Sequence, residues 1–548
     1  MSTSARARIL PPYTRRVDDV LHRSVRLLAG AALVLFAMAM GFFIALFGTF
    51  GWFIYAIPLV LLFLTALWLA PDVDTRLDGA IERTWFILMG LFLMWPTYIA
   101  FNLPGVPWIS FERLAMFTLA VLTLYAMAIS SRVRGELAET LTANRLIFRL
   151  FALWVAIQFV MMLVALGDTF GRYLDLFLFW NFLFLMSAWM MRKEGNATRL
   201  FRLILIGTVV VGVFAILEVR EGKPIWTDHI PGFLGINPDI LQTLNEARQR
   251  GGAVRATGIY LTAVTYAEFI AMAVPVFLFA VMHAPTVRRF VVALGLLYLL
   301  FHVGLLTGSR TAMVGFTVAI PAFLGIWALR RFVRESARRD IIGPAFVWLA
   351  PVLLAGFAAA ILFVGRIRVR VLGGSAHQRS NEGRERQWEM ALPEIIQNPL
   401  GYGLGKIESV VPFYNYAGVF TIDSYPIILL VEYGVLGFLV FVGLMLACIY
   451  WGVRIYIRAD RTEEMLAGAF AVSLLVFLVT RTVVATGPTP TLAFALCGMI
   501  AGLYWRMRAQ FEDRPEPDAP VPLRPTPFVP GRGRLRVLTR LPAERLAR

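Results

Sequence analysis

Two carboxylates border an apolar run in "TIDSYPIILLVEYGVLGF", residues 421–438: Asp423 just precedes it and Glu432 lies inside it. A charge held in hydrocarbon costs about 2.5–3.5 kcal/mol at mid-span, so each acid needs a use or a partner. Glu432 is about 13 Å further along a continuous helix than Asp423 and reads as a protonated or paired structural acid. Asp423 reads as a helix N-cap, a reactive carboxylate, or both, because a cap holds the group still. Cations of similar placement are Arg255 in "GGAVRATGIY", Arg310 in "LLTGSRTAMVGF", Arg384 and Arg386 near Trp388 in "GRERQWEMALPEIIQNPLGYGLG", and Arg481 in "FLVTRTVVATGP". A guanidinium stays charged and presents a planar fork of donors to anionic oxygens. Plainer readings stand beside this one. Arg310 and Arg481 could snorkel to headgroups, Arg255 could anchor a loop, and the segment around Arg384 could be a solvated amphipathic helix with i,i+4 pairs. Gly401, Gly403 and Gly405 suit either a sharp turn or a nest of amides around an anion. His302, mid-span, reads as a hydrogen-bonded core residue, and His377 as a lone loop histidine; neither has a metal-ligand neighbourhood. Cys448 and Cys497 lie in apolar spans, and the chain has no CxxC, HExxH, Walker A or GxSxG motif, so no metal or cofactor is expected.

The elements that must position these residues are membrane spans. The 548 residues are 59% hydrophobic and 16% charged, which points to an all-α, polytopic integral membrane protein. About fourteen windows reach spanning length: 26–47, 50–70, 84–103, 110–130, 146–166, 170–191, 200–218, 260–282, 290–308, 311–329, 343–365, 426–452, 464–485 and 489–506. The N-terminus is basic and shows no cleavable signal. The net charge of +17 sits mostly in short loops, where it orients the chain rather than binding nucleic acid. With an even number of spans, both termini and the basic loops fall on the cytoplasmic side. The organisation is then an arm at 1–25, a transmembrane domain at 26–506 with outer loops 219–259 and 366–422, and a Pro- and Arg-rich disordered tail at 507–548. Loop 366–422 is basic although translocated, which points to an anionic ligand on the outer face. On this topology Arg255, Arg310, Arg384, Asp423 and Arg481 share the outer side and a similar depth. Arg172 and Asp175 read as a structural i,i+3 pair at the outer lip.

Together these residues resemble the O-antigen ligase and Wzy-type polymerase superfamily. Its ligases carry a signature of His, then Asn, Ser or Gln, nine residues, Gly, two residues, Gly, then Thr or Phe. Here Asp423, Ser424, Gly434, Gly437 and Phe438 fit every position but the first. The "GSR" at 308–310, the Arg384–Trp388 pair, "NPLGYGLG" and "RATG" at 255–258 are similar to the family's pattern as well. The resemblance runs from about 250 to 445.

What the resemblance implies is a metal-independent membrane glycosyltransferase of GT-C-like architecture with a large periplasmic loop, in the bacterial inner membrane. The donor would be a glycan on undecaprenyl pyrophosphate, and the acceptor either another lipid-linked repeat or lipid A–core. A flippase and a chain-length regulator are partners that it allows. Asp423 stands where the ligases have histidine, and an acid there is common among exopolysaccharide polymerases, so polymerase is favoured over ligase. A transporter or flippase is the rival of another class, although transporters usually place their polar site near the midplane. In the implied mechanism Asp423 is the general base and Arg310 and Arg384 hold the pyrophosphate. Arg255, Arg481, Arg386 and Trp388 support substrate binding. Nearby arginines are expected to lower the basicity of Asp423.

Overall fold

The computed structural model describes residues 77–101, 109–165, 169–236, 249–250, 253–335, 345, 363, 375–414, 418, 420–485 and 487–512. The expected arm at 1–25, the spans at 26–47 and 50–70, nearly all of the span at 343–365 and the tail beyond 512 lie outside the described residues.

In chain order the helices are α1 Asp78–Met94, α2 Phe111–Ile129, α3 Ser131–Ala143, α4 Arg145–Ala165, α5 Thr169–Met190, α6 Asn196–Glu221, α7 Ala263–Met282, α8 Val287–Leu306, α9 Arg310–Glu335, α10 Ser375–Gln397, α11 Ile407–Val410, α12 Tyr425–Arg458, α13 Thr462–Thr480 and α14 Thr489–Glu512. Among the described residues nine helices are long and apolar enough to cross a membrane. The chain is thus a mostly helical, multi-pass membrane protein.

Two expected spans need correction. The window at 84–103 is helical only to Met94; Trp95 is extended, and Ile99–Phe101 pairs antiparallel with Leu234–Ile236. Pro96 explains the stop, because the residue before a proline is pushed out of the helical region. The window at 426–452 runs on to Arg458 but is broken at Gly434, whose φ of 69° and ψ of −177° are not helical. The piece beyond the break is about 36 Å long, enough to cross about 30 Å of hydrocarbon alone. Glu432 therefore sits beside the break, at the end of a full span rather than in its middle.

Side chains at the centre of the bundle are almost all enclosed. In α7, 89% of the apolar window is buried, against 22% in peripheral α8. Lipid supplies no hydrophobic drive between helices, so close packing of small residues must hold them. Gly315 of α9 lies against Ala271 of α7 and near Val476 of α13. That shared level orders the ends. The start of α9, the start of α7 and the end of α13 lie at one end of the bundle. The N–H of Tyr425 donates to the carbonyl of Arg481 at 3.1 Å, which brings the start of α12 there too. A second, smaller apolar core covers this end, with Ala391 and Ile395 of α10, Ile407, Val411, Ile422, Ile427 and Val431.

Two further expectations are corrected. His302 is exposed on α8 instead of lying in the core. Arg172 does not pair with Asp175: it reaches Glu432 at 3.3 Å, and Asp175 pairs with Arg113 at 3.0 Å.

Candidate functional site

Asp423 lies on the lead-in to α12 and is held by α10. Its backbone N–H donates to Oε1 of Gln387 at 3.0 Å, and Nε2 of Gln387 donates to the carbonyl of Thr421 at 3.5 Å. Gln387 is fully buried, as is Ala391 one turn on, so both lie on the inward face of α10. Arg384, three residues before Gln387, falls on that face as well. Its Nε stands 4.0 Å from Oδ2 of Asp423, with side-chain exposures of 25% and 39%.

The expected capping role is corrected. The N-cap of α12 is Ser424, which makes no side-chain cap bond, and Asp423 stands one residue further out. Its carboxylate is thus not committed to a helix end. The expected direction of its acidity is corrected too. Burial pushes the Asp423 carboxyl above its ordinary value, and Arg384 opposes this only in part. Desolvation outweighs a single cation at that distance, and the group is a stronger base than an exposed aspartate.

The glycine segment and the helix break form one interlocked piece. The N–H groups of Tyr402 and Gly403 donate to the carbonyls of Val431 and Glu432 at 2.8 and 3.1 Å, and the N–H of Val435 donates back to Pro399 at 2.8 Å. These carbonyls and this amide are orphaned by the break, and "NPLGYGLG" satisfies them. A Cβ on Gly401 would stand 2.6 Å from the Gly434 nitrogen, and one on Gly434 would stand 2.4 Å from the Leu400 carbonyl. Neither position admits a side chain. The amides of Gly401 and Leu404 are also used, by Asn398 and by Met161 at the end of α4. The N–H groups of Gly405 and Ile407 bond to the Glu432 carboxylate, so the anion that amides of this segment hold is one the chain itself supplies beside the helix break.

Arg255 reaches the turn before α9 from the segment at 255–258. Nε of Arg255 donates to the carbonyl of Thr307 at 2.8 Å, and the N–H of Ala256 donates to Leu306 at 3.0 Å. The carboxylate of Glu218, 1% exposed at the end of α6, accepts from the N–H groups of Thr257 and Gly258 at 3.0 and 2.8 Å and from the Thr257 hydroxyl. Ser309 caps α9 through the N–H of Thr311 at 3.3 Å, which makes Arg310 the first helical residue. A cation there opposes the positive end of the helix dipole, and a bound anion would be favoured by both.

Arg481 lies behind the site rather than in it. Its Nε is 3.1 Å from Glu268, and its Nη1 donates to the carbonyls of Val484 and Ala485 at 3.3 and 2.8 Å. Thr480 and Thr489 complete the pair by bonding to the same Glu268. The guanidinium carbon stands 5.1 Å from the Tyr425 ring centroid. Arg481 thereby fixes the first residue of α12, two places after Asp423. Arg386 is exposed on α10 and Trp388 is 37% exposed.

So the structure brings Arg384 to Asp423, and Arg255 to the turn that presents Arg310, at one end of the bundle. Gln387, Glu218 and Glu268 hold these groups and were not singled out in the sequence. The spacing of Arg384 and Gln387 on one helical face was the available signal for the first. Glu218 and Glu268 sit in apolar helices, where any acid calls for a partner.

No curated protein matches the chain. The O-antigen ligase family model matches residues 295–442, a stretch that contains Arg310, Arg384, "NPLGYGLG", Asp423 and the Gly434 break but not Arg255 or Arg481. That match, about a quarter of the chain, supports a likeness of this part of the protein to the O-antigen ligase and Wzy-type superfamily.

Proposed function

We propose that the protein is a Wzy-type polymerase, a membrane glycosyltransferase that joins undecaprenyl-pyrophosphate-linked repeat units at the periplasmic face of the bacterial inner membrane. The pairing of Arg384 with a partly buried Asp423, inside the matched domain, is the observation that carries this reading. Arg310 and Arg384 bind the pyrophosphate, with Arg255 in support, and stabilise the charge that builds on the departing oxygen. Asp423 takes the proton of the acceptor hydroxyl as that oxygen attacks the anomeric carbon from the face opposite the leaving group. The configuration inverts and lipid pyrophosphate departs. The raised basicity of Asp423 suits this role, because a base is most effective when its pKa approaches the working pH.

A ligase that transfers the finished glycan to lipid A–core is the second reading, favoured by the description of the matching family. Lipid-linked intermediates in a deletion strain separate the two. A polymerase leaves single repeats on the lipid, whereas a ligase leaves long chains. Long chains in the deletion strain would reject the polymerase reading.

A further inference from the structure

At the end of the bundle remote from Asp423, an open cavity of about 490 Å³ is lined by Arg145, Arg149 and Arg508 with Leu141, Phe148 and Ala152. Its position follows from two helices that reach the site end. Met161 of α4 accepts the Leu404 N–H there, and Arg145 lies about 24 Å back along the same helix. Thr489 of α14 stands beside Arg481, and Arg508 is about 29 Å further on. Since hydrocarbon is about 30 Å thick, the cavity opens at the opposite membrane surface.

Arg145 and Arg149 are both exposed and one turn apart on α4, so their like charges repel weakly and an anion set between them would be held by both. Nη1 of Arg508 donates to the carbonyl of Ala143 at 3.4 Å, which sets the third cation where α3 gives way to the positive end of α4. From the cavity an apolar stripe runs along α4 through Leu146, Leu153 and Val160, which are 51%, 43% and 48% exposed. A free phosphate has no use for that stripe, but acyl chains do.

We propose that this cavity binds the headgroup phosphate of an anionic phospholipid, whose chains lie along the Leu146–Leu153–Val160 stripe. Such basic pockets between helices recognise lipid charge. The test is phosphatidylglycerol binding to the purified full-length protein in detergent, read by native mass spectrometry, with phosphatidylcholine and inorganic phosphate as comparison probes. The wild type is expected to prefer phosphatidylglycerol. Arg145→Gln with Arg149→Gln should weaken it roughly 25-fold, about fivefold per cation lost. Arg149→Gln alone should weaken it about fivefold and serves if the double variant does not fold, and the matching Lys variants should restore binding. Unchanged retention in the Gln variants, or equal binding of phosphatidylcholine, would overturn the proposal. So would displacement by millimolar phosphate, which would mean a free-anion site. A gain of lipid on truncation after Glu512 would mean that the tail fills the cavity, with the same consequence.

Discussion

Nε of Arg384 stands 4.0 Å from Oδ2 of Asp423, across the junction between α10 and the lead-in to α12. The two charges attract, yet that distance is longer than a hydrogen bond. The carboxylate is therefore held without its oxygen being consumed and can still receive a proton. Burial raises its pKa while the guanidinium restrains the rise. The pair is partly exposed, so it contributes little to stability.

The pH profile should show this directly. In the proposed mechanism Asp423 works as the carboxylate, so the rate should fall as pH drops through its raised pKa and stay flat across neutrality. Asp423→His should retain some activity with an acid limb that belongs to the imidazole, held below the ordinary histidine value of about 6.5 because the burial that raises the carboxyl and the Arg384 charge both disfavour imidazolium. Glycan elongation measured from pH 4 to 8 checks both. An acid limb that does not move in the histidine variant would mean that another group titrates.

Removing the cation should move the same limb without abolishing the base. In Arg384→Gln the factor that lowers the Asp423 pKa is gone, so the limb should shift to higher pH while donor binding weakens. A variant with an unshifted profile and a weaker KM alone would restrict Arg384 to the pyrophosphate.

The interlock predicts a stability effect. Gly434→Ala puts a side chain on a positive-φ residue and 2.4 Å from the Leu400 carbonyl. The expected loss is at least about 2 kcal/mol, from backbone strain and overlap together. Thermal unfolding in detergent measures it, and an unchanged melting midpoint would contradict the tight docking of "NPLGYGLG" on the break.

The buried pair of Glu268 and Arg481 predicts a contrast between two substitutions. Glu268→Ala leaves a buried guanidinium unpaired and should cost about 3–5 kcal/mol. Glu268→Gln keeps an acceptor and should cost less. Activity should fall with stability in both, since Arg481 carries the carbonyl that holds the Tyr425 N–H. Equal melting midpoints for the two variants would argue against an ion pair there.

Much of this was legible in the chain. Apolar length gave the multi-pass helical class, and the order of "GSR", Arg384, "NPLGYGLG" and Asp423 gave the superfamily that the family model also finds. Three features were hidden for physical reasons. The break at Gly434 depends on carbonyls and amides meeting a segment some thirty residues earlier, and periodicity does not register such a partner. The partner of Arg172 is Glu432, remote in sequence, whereas spacing alone favoured nearby Asp175. The acidity of Asp423 turned on desolvation, which sequence does not show, against a cation, which it does.

Purified protein given lipid-pyrophosphate-linked repeats in detergent, without a gradient, offers the most direct measurement, with Asp423→Asn beside the wild type. The wild type should lengthen the glycan, and the variant should fold normally but be slower by about two to four orders of magnitude, the usual contribution of a general base. Elongation at the wild-type rate by Asp423→Asn would contradict a catalytic carboxylate at this position.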